Sequence, residues 1–121
     1  MRTEELMPIL LDRKLAQLGD AFINLAYSLA LTRRLRHPVG TKVSDKVLAD
    51  AARKAGIRRL LPRRMSRGDV SNAIESLMAY AWLNHQLTID EASTVLERQA
   101  ESPSDAFASL SSKILEKLLS A

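Results

Sequence analysis

The chain has 121 residues, of which 46% are hydrophobic and 26% are charged, and a net charge of +4. This length supports one folding unit over residues 1–121, and the absence of cysteine excludes disulfides and thiolate chemistry. The N-terminus has acids where a signal peptide has basic residues, and no apolar segment is uncharged over a membrane-spanning length. We therefore expect a cytoplasmic protein with no membrane partner.

The first half of the chain predicts two helices before the first strong break. Residues 3–11 favour a short helix interrupted near Pro8, and a long helix is expected from about Asp12 to Arg36. Apolar residues recur in the long helix at intervals of three and four, which predicts a stripe that faces the core: Leu15, Leu18, Phe22, Leu25 and Leu29. The sequence HPVGT (37–41) then ends the helix.

Ser44 is the predicted N-cap of a helix that runs through Ala55 and stops at Gly56. The next segment, IRRLL, favours one helical turn before Pro62. Together these two elements resemble a helix-turn-helix, which leaves a DNA-binding alternative open, although the recognition helix would be only about one turn long.

Three N-terminal signals predict the helices of the second half. Ser66 opens a helix of about 67–85, Thr88 opens one that reaches about Ala100, and Ser102 with Pro103 opens the last. No alternating pattern indicates a strand. The sequence therefore predicts an all-α fold of six to seven helices, with Tyr80 and Trp82 in the core.

One acid interrupts each of the two most apolar helices, Asp20 in the first and Glu75 in the second. A buried carboxylate requires a cation or hydrogen-bond donors, so each acid could pair with an arginine, or both could share one divalent cation. Two carboxylates with the Asn72 carbonyl suit Mg²⁺ or Mn²⁺. On spacing alone, arginine pairs and a shared cation both remain open.

Basic residues concentrate in the middle of the chain. Twelve Lys or Arg residues lie between Arg33 and Arg67, against only Asp45 and Asp50. Phosphate neutralisation supplies much of the affinity of proteins for nucleic acids. The pattern therefore favours a nucleic-acid or nucleotide partner over a merely solvated surface.

Three segments resemble a known family. LAQLGDAFINLAYSLALTRRL resembles the signature helix of the ribonuclease III catalytic domain, which has the form ERLEFLGDAVL. KVSDKVLADAARKAGIRRLL is similar to the helix and turn that follow, and GDVSNAIESLMAYAWLNHQLTIDEA to a later helix of the form ADxFEALIGAIYLDGG. The order and spacing of the three blocks agree over about Leu15 to Glu91. The absence of a double-stranded-RNA-binding domain makes the chain most similar to the compact Mini-III branch.

The resemblance implies an endoribonuclease that holds Mg²⁺ on Asp20 and Glu75, with help from Asn72. Hydrolysis of double-stranded or structured RNA would leave 5′-phosphate and 3′-hydroxyl ends. The family has two further acids, where this chain has Ala16 and Asn72. These replacements leave open a catalytically silent relative that only binds structured RNA.

The resemblance also implies a homodimer with its interface near Gln17 and Phe22. The basic residues expected to bind RNA phosphates are Lys42, Lys46, Arg63, Arg64 and Arg67.

Overall fold

The computed structural model describes residues 1–120, and this part of the chain is all-helical, as predicted. Six α-helices and one 3-10 turn follow in order: α1 Thr3–Leu10, α2 Arg13–Leu35, α3 Asp45–Lys54, the 3-10 turn Ile57–Leu60, α4 Arg67–Leu83, α5 Ile89–Glu97 and α6 Pro103–Leu119. No helix in this range is long and apolar enough to cross a membrane.

Side-chain caps start three of these helices at the predicted residues. Ser44 accepts a hydrogen bond from the Val47 amide at 3.2 Å, and Ser66 accepts one from the Asp69 amide at 3.1 Å. Thr88 forms a reciprocal capping box with Glu91. These local bonds satisfy amides that the first helical turn leaves free, so they fix where the helices begin.

Two details at the helix ends differ from the prediction. Ser102 makes no capping bond to the backbone; its hydroxyl donates to the Asp105 carboxylate at 2.8 Å, and α6 begins with Pro103 instead. The predicted interruption at Pro8 is wrong, because α1 continues through it. Leu6 and Leu10 are buried on either side of the proline, and this packing keeps the helix in place.

The centre of the fold is α4, which is buried on nearly all sides. It packs most extensively against α2, and it also contacts α1, α3 and α6, while α5 packs on α2 and α6. Every α-helix contributes to one continuous core, whose largest fully buried side chains include Leu48, Leu77, Met78, Phe107 and Ile114. A polar side chain on α4 is therefore buried inside the protein unless it lies where the neighbouring helices do not cover α4.

The predicted leucine stripe of α2 is not the face that meets the core. Leu25 is 60% exposed and Leu18 is 37% exposed, whereas Phe22 is buried. The buried face is instead made largely of small residues: Ala16, Gly19, Ala26 and Ala30, with Ile23 among them. Because α4 lies close to α2, small residues occupy the contact and the larger leucines remain outside it.

Trp82 also differs from its predicted place in the core. Its side chain is 41% exposed, and its ring packs on Phe22 with the ring centroids 5.3 Å apart. Tyr80 is only partly buried. The C-terminal end of α4 therefore carries an aromatic side chain at the surface, next to the exposed leucines of α2.

Gly19 is the point of closest approach between α2 and α4. A Cβ atom built on Gly19 would lie 1.8 Å from the Glu75 carbonyl oxygen and 2.9 Å from its Cα. Both neighbours are backbone atoms, so no side-chain rotation could make room. Only glycine fits here, and its neighbour Asp20 is thereby held next to the segment of α4 that carries Glu75.

Gly19→Ala is expected to destabilise the fold by about 3 kcal/mol or more, at the upper end of the usual cost of overpacking, because the two helices must separate. Gly40→Ala is the matched control, since nothing lies within 4 Å of a Cβ at Gly40. Chemical denaturation of both variants measures the difference. Equal midpoints for the two variants would contradict this account of the α2–α4 contact.

Candidate active site

A cleft of about 410 Å³ opens where α2, α4 and the start of α3 meet. It is lined by Arg13, Ala16, Gln17, Asp20, Asp45, Asn72 and Glu75. The two acids singled out from sequence, Asp20 and Glu75, therefore line one cleft. Asn72 joins them, one helical turn before Glu75 on α4.

Asp20 and Glu75 are in direct contact. Glu75 is only 5% exposed, and its carboxyl group shares a hydrogen bond with that of Asp20. Burial, followed by this hydrogen bond and the negative charges of Asp20 and Asp45, raises the pKa of Glu75 from its ordinary 4.5 to about 8; Lys42 opposes the shift. A pKa of about 8 leaves the Glu75 carboxyl group largely protonated at neutral pH, so it can donate this hydrogen bond to Asp20.

Neighbouring polar groups hold the acids in place. The Asn24 amide donates to Asp20 at 3.3 Å, and its carbonyl oxygen accepts the Val43 backbone N–H at 2.8 Å. Asp20 is therefore connected to the segment that precedes α3. On the other side of the cleft, the Ser71 hydroxyl donates to Asp45 at 3.0 Å. Asp45 thus links the start of α3 to α4.

No arginine or lysine within residues 1–120 forms an ion pair with Asp20 or Glu75. The arginine-pair alternative is therefore wrong for the part of the chain described. Over the same residues, no three Asp, Glu, His or Cys side chains form a group that could hold a metal ion. Two touching carboxylates are nevertheless a donor set that Mg²⁺ accepts, since this ion keeps several water ligands and needs only one or two carboxylates.

A family model described as ribonuclease III matches residues 13–120, which include every residue that lines the cleft. The chain belongs to the ribonuclease III family. No curated protein matches it in sequence. The family resemblance read from the sequence is confirmed; a place in the Mini-III branch is compatible with the match and stays a prediction.

The two positions at which the chain lacks family acids lie in this same cleft. Ala16 is buried in its wall, and Asn72 is partly buried. Of the four acids that the family resemblance implies, the cleft therefore contains Asp20 and Glu75, and it has a methyl group and an amide at the other two positions. Asp45 and Arg13 also line the cleft, and sequence reasoning did not identify either of them. Their positions depend on contacts between helices, for which spacing along the chain carries no signal.

The basic residues selected from the sequence are all exposed: Lys42, Lys46, Arg63, Arg64 and Arg67. None of the five forms an ion pair within residues 1–120. By contrast, other cations of the same run are paired, among them Arg33 with Asp90 at 2.8 Å and Lys54 with Asp105 at 2.7 Å. The selected five thus keep their charges available to a partner.

The remaining predicted site residues occupy different surroundings. Gln17 is exposed and lines the cleft, whereas Phe22 is 4% exposed beneath Trp82. Their contact with a second chain stays a prediction.

The helix-turn-helix alternative loses its recognition element, because Ile57–Leu60 is a single 3-10 turn. Such a turn is too short to lie along a major groove.

The raised pKa of Glu75 predicts a pH-dependent stability in metal-free buffer. The folded protein holds a proton between pH 4.5 and about 8 that the unfolded chain releases, so stability falls as pH rises through this window. Relative to Glu75→Gln, which cannot ionise, the wild type is expected to lose roughly 2 kcal/mol between pH 6 and 8. Denaturant titrations of both proteins with EDTA measure this; parallel pH profiles would contradict it.

Proposed function

We propose that the protein is a metal-dependent endoribonuclease that acts on double-stranded or structured RNA. The observation that carries the proposal is the Asp20–Glu75 contact, in which two carboxyl groups share a cleft and neither forms an ion pair with any cation of residues 1–120. A structural ion pair would have an arginine or lysine in contact with the acids. A pair without one is suited to exchange its shared proton for a divalent cation.

Asp20 and Glu75 would hold Mg²⁺, or Mn²⁺, with Asn72 as a further oxygen donor, directly or through water. When bound, such an ion acts as a Lewis acid on a phosphoryl oxygen and lowers the pKa of water. Asn24 would keep the Asp20 carboxylate in position through the 3.3 Å hydrogen bond. Hydrolysis of the phosphodiester would leave 5′-phosphate and 3′-hydroxyl ends, as in the family that the chain resembles.

The unpaired basic residues would hold the RNA backbone. Lys42 lies close enough to the cleft to lower the pKa of Glu75, and Lys46 directly follows Asp45, a residue of the cleft wall. The other three residues lie at the start of α4 or just before it: Arg63, Arg64 and Arg67. A-form duplexes are recognised mainly through shape, phosphates and 2′-hydroxyls, so exposed cations without a base-stacking platform suit this substrate.

A homodimer completes the proposal. Leu18 and Leu25 precede and follow the buried Phe22 by about one turn of α2, and Trp82 covers Phe22, so three exposed apolar side chains lie around this buried ring. A second copy that covers these side chains would bring Phe22 close to the interface and provide one cleft for each RNA strand. Sedimentation of the wild-type chain measures its oligomeric state directly, and a monomer at all concentrations would contradict the proposed dimer.

We also propose that the protein acts in the cytoplasm.

The alternative is a silent relative that binds structured RNA without cutting it. The observation that favours it is the loss of two family acids from the cleft, at Ala16 and Asn72. The same basic surface would serve this role. Cleavage assays separate the two functions, since only the first depends on Asp20 and Glu75.

The test is cleavage of an end-labelled RNA duplex in Mg²⁺ and in Mn²⁺ by the wild type, Asp20→Asn and Glu75→Gln. We expect metal-dependent cutting by the wild type and a loss of at least about 100-fold in each variant, because removing either carboxylate leaves the ion a single acidic ligand. Glu116→Gln is the control; it removes an equal charge at an exposed position of α6 outside the cleft.

If the inactive variants still bind RNA, their defect lies in the cleavage step and not in RNA binding. Cutting by Glu75→Gln at the wild-type rate would overturn the proposed site. Binding without cutting by all of the proteins would favour the silent relative.

A further inference from the structure

Arg13 is the one cationic side chain among the residues that line the acid cleft. It lies in the first turn of α2 and is exposed. Within residues 1–120 its side chain makes no ion pair, and Asp20 and Glu75 are likewise without a cation. A charged side chain in a cleft with three acids, yet paired with none of them, is available to a ligand that carries the opposite charge.

The spacing along α2 places Arg13 on the same face as Asp20. Residues 13, 17 and 20 follow one another at intervals of four and three, so Gln17 lies between the two charged groups on one side of the helix. Ala16, three residues after Arg13, contributes only a methyl group to the cleft wall. Next to Arg13, the α2 wall of the cleft therefore consists of a methyl group and an uncharged amide and carries no negative charge.

The signature motif makes this charge pattern more specific. Aligned on Leu-Gly-Asp, the form ERLEFLGDAVL has glutamates at the positions of Arg13 and Ala16. In this chain a cation replaces the first acid, and a methyl group replaces the second. Compared with that form, this chain has one negative charge fewer at Ala16 and a positive charge in place of a negative one at Arg13, both in the wall of the cleft.

We propose that Arg13 is a catalytic residue that binds the phosphate to be cleaved. The inference rests on the proposed ribonuclease function and assigns the group that contacts the reacting phosphate. A guanidinium presents two parallel N–H donors, which match two non-bridging oxygens of a phosphate. Negative charge on these oxygens is balanced in part by a metal ion, and a cleft with two carboxylates offers few ligands for a second one. Arg13 supplies to these phosphate oxygens the positive charge that a second metal ion would otherwise provide.

The test compares the steady-state cleavage of an RNA duplex by the wild type, Arg13→Gln and Arg13→Lys. All three side chains are good helix formers, and Arg13 is exposed and forms no ion pair within residues 1–120. We expect kcat to fall roughly 100-fold in Arg13→Gln, while KM changes by less than about 3-fold, because the contact strengthens in the transition state. Arg13→Lys is expected to recover part of kcat through its charge, without the paired donors.

Lys14→Gln is the matched control. Lys14 is exposed, belongs to the same helical turn, makes no ion pair within the described residues and does not line the cleft. Its replacement removes the same charge and is expected to leave kcat within about 2-fold of the wild type. Thermal unfolding and Mg²⁺ binding of Arg13→Gln are expected to match the wild type, which separates the loss of phosphate binding from the loss of the metal or the fold.

An unchanged kcat in Arg13→Gln, or an effect confined to KM and shared by Lys14→Gln, would overturn the assignment while the ribonuclease function stands. Weakened Mg²⁺ binding in Arg13→Gln would also overturn it, since Arg13 would then act through the metal site. A wild-type protein that does not cut RNA would instead overturn the proposed function, and the role of Arg13 with it.

Discussion

The contact between Gly19 and the Glu75 backbone sets the geometry of the whole molecule. Because α2 carries no side chain at this point, its backbone reaches the carbonyl of Glu75, and α2 packs closely on α4 along its small residues. The next residue on α2 is Asp20. Its carboxyl group therefore meets that of Glu75, which the same packing has buried. Leu18 and Leu25 of α2 lie outside this contact, at the surface.

This packing produces an electrostatic arrangement that differs from ordinary buried polar groups. Buried acids are normally neutralised by a cation or by several donors, whereas Glu75 is held largely protonated next to Asp20 and forms no ion pair within residues 1–120. The basic run of the sequence divides into two classes. Arg33 and Lys54 are paired with acids elsewhere in the fold, whereas Lys42, which lowers the pKa of Glu75, and Lys46, which follows Asp45 of the cleft wall, form no ion pair with any of the described residues 1–120. Part of the positive charge of the basic run therefore lies close to the buried carboxyl group of Glu75.

Local signals in the sequence predicted the fold well. Caps at Ser44, Ser66 and Thr88 fixed three helix starts, because they involve residues only three positions apart. The prediction that the leucine stripe of α2 faces the core was wrong for a physical reason. Periodicity identifies an apolar face, but it does not show whether another part of the same chain covers it, and the close approach at Gly19 made the small-residue face the buried one.

The site was predictable where an acid stood out against apolar neighbours, as Asp20 and Glu75 do. Arg13 and Asp45 lie in polar segments that resemble any solvated helix start. Only the meeting of α2, α3 and α4 brings these two residues to the same cleft. Their contribution follows from tertiary contacts, which a pattern read along one helix does not contain.

The central claim is that Asp20 and Glu75 exchange a shared proton for one divalent cation. The most direct test is calorimetric titration of the protein with Mg²⁺ at pH 7, in two buffers with different enthalpies of ionisation. Binding of one ion with release of close to one proton is expected, and neither binding nor release is expected in Glu75→Gln. Binding without proton release, or equal binding by Glu75→Gln, would contradict the account.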